Sequence, residues 1–178
     1  MKTDHVQIAF LAIGLILLAA LQDMVPPFCG AKPPFLLVFA LYVALTTSGR
    51  SRRRNGDRPV TRWMWTACAA GYLLEALSGL PIGSCICFML PVCALARFLL
   101  RSGNGYGCQV SVSLGLVVAT VFAPLQEAWL GAWGAYGGGS SFVRFVASAL
   151  PAAATGAVLF SILPRIERFA GLREEVGR

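Results

Sequence analysis

Charge is what this chain has least of. Of its 178 residues 13% are charged, where a soluble domain carries about 25%, and only eight are acidic and one is histidine. That shortage excludes an ordinary soluble domain. The sequence contains no H-E-x-x-H and no G-x-S-x-G, so zinc-peptidase and serine-hydrolase chemistry lack their motifs. His5 stands alone at the amino terminus and gives no Ser-His pair. The glycines Gly103, Gly105 and Gly107 are followed by no lysine of the P-loop kind and read as a cytoplasmic turn. Glu174 and Glu175 precede Arg178 one residue too closely for the E-E-x-x-x-R of some membrane proteases and read as a solvated end. No catalytic residue, cofactor or metal site is expected.

Six cysteines remain to be placed. Cys68, Cys85, Cys87, Cys93 and Cys108 lie in or beside apolar runs and only Cys29 falls in an outward loop, so they read as small apolar packing residues. Cys85-x-Cys87 has the wrong spacing for a zinc pair.

What the chain has in abundance is apolar sequence: 57% of its residues, with a mean hydropathy of +0.69. Continuous runs, rather than the short alternating segments of a β-barrel, place it among proteins whose helices satisfy the backbone within lipid. We expect an all-α polytopic membrane protein in one transmembrane domain, with spans near residues 6–24, 34–48, 62–78, 82–100, 109–130 and 143–163. At about 20 residues per span, six spans leave no room for a separate soluble domain. The first run follows only Lys2 and Asp4 and precedes no A-x-A site, so it is expected to stay as a span rather than be removed.

The formal charge of +7 is distributed by loop. Thirteen of the fifteen basic residues fall in the amino terminus, the loop after the second span, the end of the fourth and the tail, and only Lys32 and Arg144 fall in the alternate loops. The bias of cytoplasmic loops toward Lys and Arg therefore puts both termini in the cytoplasm. Arg50, Arg52, Arg53 and Arg54 read first as topology signals, with contact to anionic lipid as their functional alternative. Nucleic acid is not an expected partner, because no aromatic residues interleave the run.

Acids are few enough for each to matter. Glu75 lies thirteen residues beyond Arg62, about 20 Å at helical rise, and an ionisable group at that depth costs roughly 2.5–3.5 kcal/mol and faces a bundle interior or cavity. Gln22 and Asp23 end the first span, and Gln126 and Glu127 approach the end of the fifth. Glu75 is thus a candidate site, or else a lock between helices, protonated or paired with Arg144 or Lys32. On the sixth span Ala149, Ala153 and Ala157 recur at intervals of four, beside Ser148, Ala152 and Gly156. Small residues let membrane helices approach, so this face is expected to pack, either within the bundle or against a partner's span, with Pro151 kinking the helix beside it.

The stretch Gly71-Tyr72-Leu73-Leu74-Glu75-Ala76-Leu77-Ser78-Gly79-Leu80-Pro81-Ile82-Gly83 resembles the signature of the rod-shape-determining MreD family. In that signature a glycine, an acid, a Ser-Gly pair and a P-x-G turn join two spans almost without a loop. Leu21-Gln22 at the end of the first span and Lys32-Pro33-Pro34-Phe35-Leu36-Leu37 entering the second agree with it. The chain departs in having Glu75 for the usual Asp and Pro34 where an Asp often stands, and the matches cover about residues 6–100. The resemblance implies a non-enzymatic scaffold of the cell-elongation machinery in the bacterial inner membrane. It also implies a fold similar to the S components of vitamin transporters, and partners of three kinds: an MreC-like single-span protein, a RodA-type glycosyltransferase and its penicillin-binding partner. Its candidate interaction residues are Gln22, Glu75, Ser78, Gly79, Pro81 and Gly83. The alternative is a transport subunit whose outward polar residues receive a small solute. The four-residue connection from Ser78 to Pro81 leaves little to cap one.

Overall fold

The computed structural model describes residues 2–27, 32–50, 60–103, 112–133 and 141–169. Arg52 to Arg54, Cys29, Cys108, the turn at 104–107 and the tail at 174–178 lie outside the described residues, as does the side chain of Arg144. Six helices and no strands occur among the described residues: α1 (Lys2–Met24), α2 (Phe35–Arg50), α3 (Val60–Ser78), α4 (Ser84–Gly103), α5 (Val112–Ala132) and α6 (Ser141–Phe169). The all-α expectation is met, and three helices are long and apolar enough to cross a membrane, over Gln7–Met24, Ser113–Ala132 and Val146–Phe169. Phe35–Thr46 and Ser84–Leu99 are apolar but shorter.

Most helix ends differ from the expected span ends by a few residues, and two of the differences have a local physical setting. α4 starts at Ser84 and not at 82, because Gly83 has φ 100° and the Ser84 N–H turns back to the Pro81 carbonyl at 3.2 Å. α6 runs on to Phe169, six residues past the expected end at 163, and carries Pro164 within it. A proline removes one helical donor, a loss that helices in lipid tolerate better than those in water because neighbouring groups re-satisfy the backbone. Pro91 and Pro124 sit inside α4 and α5 in the same way.

The bundle is organised round α2. From Leu36 to Ala44 its side chains are fully buried on every side, the mark of a helix surrounded by protein, and α2 packs against each of the other five helices. The rest form an open series about it: α1 meets α3, α3 meets α4, α4 meets α5 and α5 meets α6, while among the described residues α1 does not meet α6. Tyr42 of α2 reaches Phe160 of α6 edge to face, with ring centroids 5.3 Å apart. α1 presents Ile8, Ile13, Ile16 and Leu17 outward, an arrangement suited to lipid.

The closest pair is α5 with α6. A Cβ built on Gly156 would lie 2.5 Å from the Gly115 carbonyl oxygen, and one on Gly115 would lie 2.3 Å from the Phe160 ring. Apolar side chains gain little by leaving lipid for another helix, so backbone approach through small residues is what holds such a pair. The buried stripe on α6 is Ser148, Ala152 and Gly156, whereas Ala149, Ala153 and Ala157 are half-buried on its flank. Both stripes belong to the face that the sequence marks for packing, and Ser148, Ala152 and Gly156 lie at the centre of the contact.

Two arginines at the opposite end from Glu75 do more than mark topology. The Arg97 guanidinium donates to the Ala44 carbonyl at 2.9 Å and lies 5.3 Å above the Trp63 ring, tying α4 to α2 and α3. Arg62 donates to Gln7 and ties α3 to α1.

Candidate functional site

A helix ends with four carbonyls and begins with four N–H groups that its own turns leave unpaired. In lipid each must find a partner within the protein. Between α3 and α4 a single residue serves both ends. The Leu80 N–H reaches back to the Glu75 carbonyl at 3.3 Å with Gly79 at φ 65°, the six-to-one closure that ends a helix at a left-handed residue. The Glu75 side chain, 2% exposed, then turns to the start of α4. Its Oε1 accepts the N–H of Cys85 at 2.7 Å and of Ile86 at 3.0 Å, and its Oε2 accepts that of Gly83 at 2.9 Å. A carboxylate near the positive end of a helix dipole is stabilising in addition to its hydrogen bonds. α4 has no acid in its own first turn, so α3 supplies one.

The approach needed for this is set one turn earlier. A Cβ on Gly71 would stand 2.9 Å from the backbone N and Cα of Ile86, so glycine there lets α3 come close enough for Glu75 to reach. Ser84 donates its Oγ to the Pro81 carbonyl at 2.9 Å, and the Trp129 indole of α5 donates to the Ser84 carbonyl at 2.9 Å. Trp129 also stacks on Phe88, with centroids 5.9 Å apart. The start of α4 is thereby held from α3 and α5 together.

The first pair of helices repeats the device more simply. Gln22, 5% exposed near the end of α1, accepts the Leu36 N–H at the start of α2 at 3.1 Å. Asp23 meets Lys32 at 3.3 Å in the open, so Lys32 serves Asp23 and is not the partner of Glu75 as one expectation had it. In α5, Gln126 and Glu127 are buried, and the Gln126 Oε1 has no hydrogen-bond partner among the described residues.

The site residues expected from sequence therefore divide. Glu75 and Gln22 are buried caps, Gly79 and Gly83 hold left-handed backbone angles, and Pro81 and Ser78 complete the turn. Trp129 and Ser84 were not anticipated. Beside the turn lies a shallow cleft of about 240 Å³ lined by Tyr72, Glu75, Ala76, Gly79, Leu80 and Ile82. Among the described residues Cys85 and Cys93 are buried, Cys68 is half-buried and Cys87 is exposed, all as free thiols.

Gly79→Val should cost about 1–2 kcal/mol, the penalty of a left-handed angle for a side chain with a Cβ, and more for a β-branched one. Gly79→Asn should be tolerated better, since asparagine visits that region. Thermal unfolding of the two purified variants in detergent checks the order, and a Val variant as stable as the Asn one would refute the turn geometry.

The fold and site define an all-helical protein with membrane-length helices and a carboxylate-capped joint between α3 and α4. Comparison with protein-family models, curated proteins and solved structures finds no match.

Proposed function

We propose that the chain is an MreD-like, non-enzymatic scaffold of the bacterial cell-elongation machinery. It crosses the inner membrane six times with both termini cytoplasmic, holds the span of an MreC-like partner, and so supports cell shape and peptidoglycan synthesis by a RodA-type glycosyltransferase and its penicillin-binding partner. The observation that carries this reading is that Gly71, Glu75, Gly79, Pro81 and Gly83, which carry the resemblance, act together in one joint between α3 and α4. The 16 residues of α2 span only about 24 Å, short of a hydrocarbon core of about 30 Å. A helix with protein on every side does not have to match that thickness, which supports counting α2 among the spans.

Topology is tested by a reporter active only outside the cytoplasm: fusion at Gly137 should give signal, and fusions at Gly56 and Gly171 none. Signal at Gly56 would overturn the orientation. The function is tested by deleting the gene in its host, where rods should round up and recover shape when the chain is resupplied. Unaltered rods would remove the elongation reading.

The second reading, an S-component-like solute-binding subunit of a transporter, draws on the buried and unpaired Gln126 oxygen. It is opposed by Gln22 and Glu75, whose side chains are already taken up by backbone N–H groups. On that reading a solute should co-purify with the wild type and be lost in Gln126→Leu.

A further inference from the structure

The last turn of α6 leaves two kinds of side chain uncovered at one level. Between Arg144 and Arg165 the sequence runs for twenty residues without a charge, which at helical rise is about 30 Å, the thickness of a hydrocarbon core. The turn from Arg165 to Phe169 therefore falls where the core ends. Its one acid, Glu167, is buried, on the side that Leu163 and Phe160 bury one and two turns earlier. The other side carries Ile162, Ile166 and Phe169 at intervals of four and three; the two isoleucines are half-exposed and Phe169 is 94% exposed. Arg165 and Arg168 are exposed beside them, and among the described residues neither forms an ion pair. This outer side thus joins two free cations to an apolar stripe and holds no acid.

An acidic protein segment would match the cations alone. The apolar stripe, however, continues without a break from Ile166 through Ile162 to the half-exposed Val158 within the span, so what covers it has to be negative at the boundary and apolar along the core. A lipid with a net negative headgroup is both.

We propose that the last turn of α6 is a docking surface for anionic phospholipid of the cytoplasmic leaflet. The Arg165 and Arg168 guanidinium groups donate charge-assisted hydrogen bonds to the headgroup phosphate, with their stems lying along the apolar surface. Phe169 and Ile166 enter the boundary between headgroups and chains, as the apolar face of an interfacial helix does. Phosphatidylcholine has the same phosphate, but its own ammonium group neutralises it, so the surface favours phosphatidylglycerol. The leaflet rests on the topology proposed above; the lipid preference does not.

The test uses the full chain with a benzophenone-bearing phenylalanine in place of Phe169, an exchange that such an exposed position accommodates. In nanodiscs with equal amounts of phosphatidylglycerol and phosphatidylcholine of the same chains, irradiation and mass spectrometry count the adducts of each. Phosphatidylglycerol adducts should lead by about five-fold, the bias that a single cation gains near an anionic leaflet. Arg165→Gln with Arg168→Gln should bring the ratio close to one, while Arg52→Gln with Arg53→Gln should leave it unchanged. Equal adducts in the otherwise unaltered chain, or a ratio that survives the loss of Arg165 and Arg168, would overturn the surface. An equal fall with the Arg52 and Arg53 pair would assign the preference to overall charge and overturn it too. Irradiation in native membranes should likewise give phospholipid adducts, and adducts to a protein in their place would assign the turn to that protein. Nanodiscs have no inside or outside, so failure of the preference leaves the topology and cell-shape results untouched.

Discussion

Replacing Glu75 with leucine should prevent the folded protein from accumulating, while replacing it with glutamine should leave a folded but weakened one. Leucine removes the acceptor for three N–H groups at once, those of Gly83, Cys85 and Ile86. A buried donor left without a partner costs about 1–3 kcal/mol, so three amount to several kcal/mol, comparable with the 5–15 kcal/mol that holds a typical protein folded. Glutamine keeps an oxygen for Cys85 and Ile86 but turns an NH2 toward the Gly83 N–H, at a cost of about 1–3 kcal/mol for one orphaned donor. Aspartate, one methylene shorter, should also fall between glutamate and leucine. Yield of monodisperse protein and unfolding in detergent give the order. Leucine and glutamine behaving alike would mean that the backbone bonds are not what Glu75 is for, and a leucine variant with unchanged yield, partner recovery and cell shape would remove the site.

Gly156→Leu is expected to have the next largest effect, by prising α5 from α6. Even a single Cβ at that position would lie 2.5 Å from the Gly115 carbonyl oxygen and 2.8 Å from the Ala119 Cβ. Overpacking a core costs about 1–3 kcal/mol where side chains can yield, and here the obstacle is backbone, so the loss should exceed that range. Ala153→Leu, by contrast, falls on a half-buried position of the flank and should leave the monomer stable. A stable Ala153 variant that no longer recovers its partner would place the partner's span against that flank, at Ala149, Ala153 and Ala157. If Gly156→Leu is as stable as wild type, the close pairing of α5 and α6 is wrong.

These two sites show what could be read in the sequence and what could not. The six helices were legible because runs of apolar residues this long have few other uses. Glu75 was legible as a buried polar group because almost nothing else in its span is polar. Its partners were not, since they are main-chain N–H groups that every sequence has, brought within reach by Gly71 and by the turn. On α6 the sequence shows both stripes of small residues but not which of them lies at the centre of the contact. In water a helix separates its buried face from its exposed one by polarity, whereas in lipid both faces are apolar, so Ser148, Ala152 and Gly156 cannot be told from Ala149, Ala153 and Ala157 by hydrophobicity. Arg62 and Arg97 were read by loop position alone; their bonds to Gln7 and Ala44 depend on which helices adjoin.

A joint that ties α3 to α4 through Glu75, and to α5 through Trp129, suits the proposed scaffold. The most direct test of the scaffold itself is recovery of the intact chain from native membranes in mild detergent, with identification by mass spectrometry of what accompanies it. A single-span protein with an extracytoplasmic domain, of the MreC kind, should come with the wild type and be reduced in the Glu75→Gln variant at equal amounts of folded chain. Recovery of the chain with a bound small solute and transporter subunits, and with no such single-span protein, would contradict the scaffold function.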